Sequence, residues 1–77
     1  MDKLSLEKIN MWKGKLQKLQ KEYEEIMQKR GEAMQMGDLR ENAAFQSLSE
    51  DADTWRARME ELKNIITKLE HENPGAK

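Results

Sequence analysis

A chain of 77 residues leaves room for one small domain, and with 38% charged and 5% aromatic side chains it cannot build a broad globular core. Fourteen Lys and Arg against fifteen Asp and Glu exclude nucleic-acid binding by bulk positive charge, and the absence of cysteine excludes disulfides and thiolate metal sites. The same absence fits a reducing, cytoplasmic compartment. There is neither a run of about 18 apolar residues nor a basic-then-apolar leader, so neither a membrane span nor a signal peptide is expected. A charged chain with a narrow apolar seam remains, and helices are the economical way to make one.

The first predicted element is a helix over about residues 5–35. Ile9, Trp12, Leu16, Leu19, Tyr23, Ile26, Arg30 and Ala33 follow alternating steps of three and four, the a/d seam of a coiled coil. Ser5 or Asp2 can cap its start. Gly37 suits the left-handed residue that ends such a helix. A tip of about residues 36–41 follows, and Asp38 can cap what comes next. The second helix, about residues 42–71, carries Phe45, Leu48, Ala52, Trp55, Met59, Leu62, Ile66 and Leu69 at the same alternating spacing. Pro74 and Gly75 stop it, leaving a frayed tail over residues 72–77.

Continuing the first seam past Ala33 would place Gly37, Arg40, Ala44, Ser47, Asp51 and Thr54 in the core, a polar seam that would fail. Folding the chain back near Leu39 instead brings Ile9 to Leu69, Trp12 to Ile66, Leu19 to Met59, Tyr23 to Trp55 and Ala33 to Phe45. The predicted fold is therefore all-α, an antiparallel two-helix coiled-coil hairpin. Helices of about 30 residues make a rod roughly 45 Å long, with little concave surface for a private small-molecule pocket.

Charge is uneven along the chain. Residues 1–36 carry eight basic and six acidic side chains, and residues 37–77 six basic and nine acidic. Lys13, Lys15, Lys18 and Lys21 read as a solvated basic face, with RNA contact the less favoured use. Glu50, Asp51 and Asp53 read as an acidic patch that pairs with helix-one lysines. Arg30, the one charged seam residue, can pack its stem opposite Leu48 and send its guanidinium to the surface. Trp12, Tyr23 and Trp55 are core rather than base-stacking platforms. Met27, Met34 and Met36 fill gaps or serve an adaptable contact surface near the tip. His71 has no second ligand at metal spacing.

Chemistry concentrates at the tip. Asp38 and Glu41 have the spacing of an acidic capping box. They are also two carboxylates that could complete a Mg²⁺ site, since that ion commonly takes one or two carboxylates plus waters and phosphates. Both uses are compatible.

The run Gly37-Asp38-Leu39-Arg40-Glu41-Asn42-Ala43-Ala44-Phe45 resembles the tip of bacterial Gre transcript-cleavage factors, Gly-Asp-Leu-Lys/Arg-Glu-Asn-Ala-Glu-Tyr. The resemblance extends over roughly residues 5–70. It implies a transcription elongation factor whose coiled coil enters the secondary channel of bacterial RNA polymerase. There the tip acids help hold a Mg²⁺ shared with the polymerase, which itself hydrolyses backtracked nascent RNA; the factor is no enzyme alone. By position, Asp38 and Glu41 correspond to the metal-assisting acids and Asn42 to the tip amide that orients water or a phosphate. Arg40, Arg30 and Phe45 become candidate contacts to RNA or polymerase. Ala44 and Phe45 depart from the family's acid and Tyr, and Phe45 doubles as a seam residue. The family's C-terminal globular domain, which docks the factor, is expected to be absent beyond Lys77, which would weaken binding. Two other outcomes stay open: a channel-occupying inhibitor or competitor of full-length factors, and a structural hairpin that self-associates.

Overall fold

The computed structural model describes residues 3–36 and 42–73. Two helices, α1 (Lys3–Met34) and α2 (Ala43–Glu72), pack against each other as a helical hairpin measuring 54 × 15 × 14 Å. None of the described helices is long and apolar enough to cross a membrane.

The seam does the packing. All sixteen seam positions are buried or half-buried. Ile9, Ala33, Ala52, Met59 and Ile66 form the buried core, with Ile9 fully enclosed. Ala33 and Ala52 are the small residues of the set. Two helices cannot enclose a large ring, and each aromatic is instead roofed by a cation. Lys15 lies 4.9 Å from the Trp12 ring, Arg56 5.8 Å from Tyr23, Arg58 4.9 Å from Trp55 and Arg30 4.6 Å from Phe45. These are the chain's two Trp, one Tyr and one Phe, so all its aromatic rings combine seam packing with a cation–π contact. The indole N–H groups of Trp12 and Trp55 are buried without a hydrogen-bond partner. Each costs about 1–3 kcal/mol, set against the area its ring buries.

The helix ends differ from the sequence expectation. Ser5 lies inside the first turns of α1 and does not cap it; the other candidate, Asp2, is outside the described residues. The N-cap of α2 is Asn42, in extended conformation, whose side chain accepts from the Phe45 N–H at 3.0 Å. Asp38, expected in that role, lies outside the described residues, as does Gly37. Asn42 takes over because the helix begins at Ala43, and a cap must stand immediately before it to reach the free N–H groups. At the far end Asn73 closes α2. Its N–H donates to the Glu70 carbonyl at 3.3 Å and its side chain to the Leu69 carbonyl at 2.9 Å. Pro74 and Gly75, the expected stop, are outside the described residues.

The acidic patch does not pair with helix one. Asp53 pairs with Arg56 of its own helix at 3.4 Å, while the ion pair that crosses the described hairpin is Lys13–Glu70 at 3.4 Å. Glu50 and Asp53 occupy outer positions on α2, and Lys18 and Lys21 occupy outer positions on α1, so these charges point away from the seam.

Gly14 and Gly31 interrupt α1, and a Cβ at either would meet nothing within 4 Å. Glycine in a helix interior costs roughly 0.5–1 kcal/mol relative to alanine. Gly14→Ala with Gly31→Ala is expected to stabilise the hairpin by about 1–2 kcal/mol, read as a raised thermal midpoint by circular dichroism. An unchanged or lowered midpoint would mean that α1 is not a continuous helix at these positions.

Candidate functional site

The site predicted from sequence centres on residues 38–42. Asp38, Arg40 and Glu41 lie outside the described residues, which end at Met36 on one side and resume at Asn42 on the other. Asn42, Phe45 and Arg30 are described, and they converge on the end of the hairpin where the chain reverses.

Asn42 spans the two helix ends. Its Oδ1 accepts from the Phe45 N–H of α2, and its Nδ2 donates to the Ala33 carbonyl of α1 at 2.6 Å. The last turn of α1 tightens, with Gln35 N–H donating to the Glu32 carbonyl and Met36 N–H to the Ala33 carbonyl, both at 3.1 Å. No basic residue stands in the last turn of α1 to offset its dipole. The carbonyls left over at that end thus depend on local donors, and Asn42 is one of them. One amide therefore starts α2 and ties it to the end of α1, on the α2 side of the acid pair.

Arg30 makes a second cross-link one turn back. Its Nε donates to Ser49 Oγ at 2.8 Å and its guanidinium stacks over Phe45 at 4.6 Å. Sequence reasoning sent this guanidinium to the surface; the structure turns it across the seam onto α2. A seam arginine is nearer the facing helix than open solvent, and Ser49 and the Phe45 ring offer it a hydrogen bond and a π face. Phe45 is half-buried beneath it.

Farther along, Arg56 Nη2 donates to Tyr23 Oη at 3.0 Å and its Nη1 approaches Asp53 at 3.4 Å. The Tyr23 hydrogen bond, with Asp53 adding to it, raises the Arg56 pKa above its already high ordinary value. Sequence reasoning missed this pair. Its only signal is that a tyrosine in a narrow seam must carry its hydroxyl out to the rim, where a flanking arginine of the other helix can reach it.

Among the described residues no three His, Asp or Glu side chains gather to hold a metal ion. The two carboxylates expected from the sequence as metal donors, Asp38 and Glu41, lie outside the described residues. Two carboxylates fit a Mg²⁺ that draws its other ligands from elsewhere, and cannot make a closed cage alone.

The family model described as transcription elongation factor, N-terminal, of GreA and GreB, matches residues 3–70. No match was found among curated proteins or among solved structures. The matched span contains both helices nearly in full and the whole connecting run, so the chain belongs to the GreA/GreB transcription elongation factor family, by its N-terminal domain.

Proposed function

We propose that this hairpin enters the secondary channel of bacterial RNA polymerase and stimulates the polymerase's own hydrolysis of backtracked RNA. The family match over residues 3–70 carries the reading, because that span includes the run Gly37–Phe45 with both acids in place. In this reading Asp38 and Glu41 supply oxygen ligands to a Mg²⁺ held jointly with the polymerase. When bound, that ion would activate water and stabilise the leaving oxygen of a phosphodiester. The chain's own contribution is delivery. A rod 54 Å long and about 15 Å thick suits a narrow channel, and Asn42 with Arg30 fixes the helix ends from which the acids are hung. Asn42 acts as a positioning residue here, since each end of its amide already holds backbone. Arg40 contacts RNA or polymerase. Arg30 and Phe45 act through each other rather than as free contacts. The protein performs no hydrolysis alone and works in the cytoplasm beside its polymerase.

The test is a stalled, backtracked transcription complex with labelled RNA, Mg²⁺ and excess hairpin. Faster shortening of the RNA 3′ end is expected, and its loss in the Asp38→Ala, Glu41→Ala variant. A double variant that still accelerates cleavage would overturn the assigned roles. Polymerase binding without accelerated cleavage would instead identify a channel-occupying competitor.

A further inference from the structure

Helix α1 carries a second stripe besides the seam. Starting from Leu4, alternating steps of four and three lead through Lys8, Met11, Lys15 and Lys18. The same steps continue through Glu22, Glu25, Lys29 and Glu32 and end at Met36, just past the helix. That spacing keeps all of them on one outward face beside the seam. The three charges in the first half are basic. In the second half, three of four are acidic.

The order is self-complementary when reversed. Laid antiparallel against a second copy of itself about a twofold axis at Gln20, the stripe brings Lys8 to Glu32, Lys15 to Glu25 and Lys18 to Glu22. The same axis brings Leu4 to Met36 at both ends and Met11 to Lys29, whose aliphatic stem can cover a thioether. Nine of the stripe's ten residues are exposed, Leu4 at 74%, Met11 at 48% and Met36 at 80% among them, and Glu22 is half-buried. None of the stripe's charged side chains forms an ion pair within the described hairpin, where the pairs are Lys13–Glu70 and Arg56–Asp53. Lys15 only covers the Trp12 ring of its own helix.

We propose that the chain forms an isologous antiparallel dimer through this stripe of α1, six opposite-charge pairs flanking the axis and an apolar pair closing each end. Twofold symmetry repeats each pairing once, as a closed interface requires. The antiparallel sense leaves the two turns, at Met36, at opposite ends of the assembly. Exposed ion pairs are individually weak and screened by salt, so the dimer is reversible and favoured at low ionic strength.

Sedimentation of the full chain tests this. A monomer–dimer equilibrium is expected at about 50 mM salt, with the dissociation constant rising at least tenfold at about 500 mM. Lys15→Glu with Lys18→Glu should be monomeric alone, and so should Glu22→Lys with Glu25→Lys. Mixing these two variants should restore dimers, and a chain carrying all four substitutions should dimerise with itself. Helicity by circular dichroism distinguishes lost pairing from lost folding. A wild-type monomer at about 1 mM in low salt would overturn the proposal, and so would charge variants that dimerise as well as wild type.

Discussion

Ile9→Ala is expected to cost the hairpin about 2–5 kcal/mol, the range for truncating a large aliphatic side chain in a core. Among the described residues Ile9 is the one large side chain that is fully enclosed, at 0% exposure, and the other buried ones are Ala33, Ala52, Met59 and Ile66. A chain of this size carries a total stability on the order of 4–11 kcal/mol, so the substitution removes a large share of it. Two helices also have few neighbours that could collapse into the space. Ile9 stands toward the end of the rod opposite the turn, on the same stretch of α1 as Lys13, whose ion pair with Glu70 crosses to α2. Loss should begin there as fraying of the last turns of α2 and the first of α1. Urea titration followed by circular dichroism gives the measurement, with Ile9→Val as the graded control at about 0.5–1.5 kcal/mol. A change below about 0.5 kcal/mol for Ile9→Ala would mean the seam does not hold this end together.

Asn42→Ala is expected to cost about 2 kcal/mol, from two separable losses. Removing an N-cap costs roughly 0.5–2 kcal/mol, and losing the hydrogen bond to the Ala33 carbonyl adds about 0.5–1.5 kcal/mol. Asn42→Asp separates the two. Aspartate keeps the acceptor for the Phe45 N–H but cannot donate to Ala33, and it sets a carboxylate against a carbonyl oxygen. Hydrogen exchange reads this directly: the Phe45 amide should lose protection in Asn42→Ala and keep it in Asn42→Asp. Under the proposed function, both variants should reduce stimulated RNA cleavage while the arms stay helical, because both break the tie between Asn42 and the Ala33 carbonyl. Full cleavage activity in Asn42→Asp would show that the tie across the turn is dispensable for placing the acids.

The contrast between Asn42 and Asp38 shows where sequence reasoning has its limit. Both residues are good N-caps, and both precede an apolar repeat. Choosing between them requires knowing the first helical residue, and end positions are set by how far the chain must travel to reverse direction. The same holds for Arg30. Its seam position was legible from spacing, but whether its guanidinium met water or α2 depended on Ser49 and Phe45 being within reach across the interface. Glu50, Asp51 and Asp53 failed to meet the lysines of α1 for a related reason, since matching signs in sequence say nothing of azimuth around each helix.

The sequence by itself determined the buried seam and the packing of its two helices as a hairpin. Those depend only on apolar periodicity, which sums over many residues and tolerates local error. Tertiary structure decided the polar contacts: the Asn42 tie, the Arg30–Ser49 bond, the Tyr23–Arg56 pair and the single cross-helix ion pair among the described residues. A hydrogen bond is made or lost within a few tenths of an ångström and a narrow cone of angles. Its partner is therefore chosen by how two helices face each other, which no one-dimensional pattern contains.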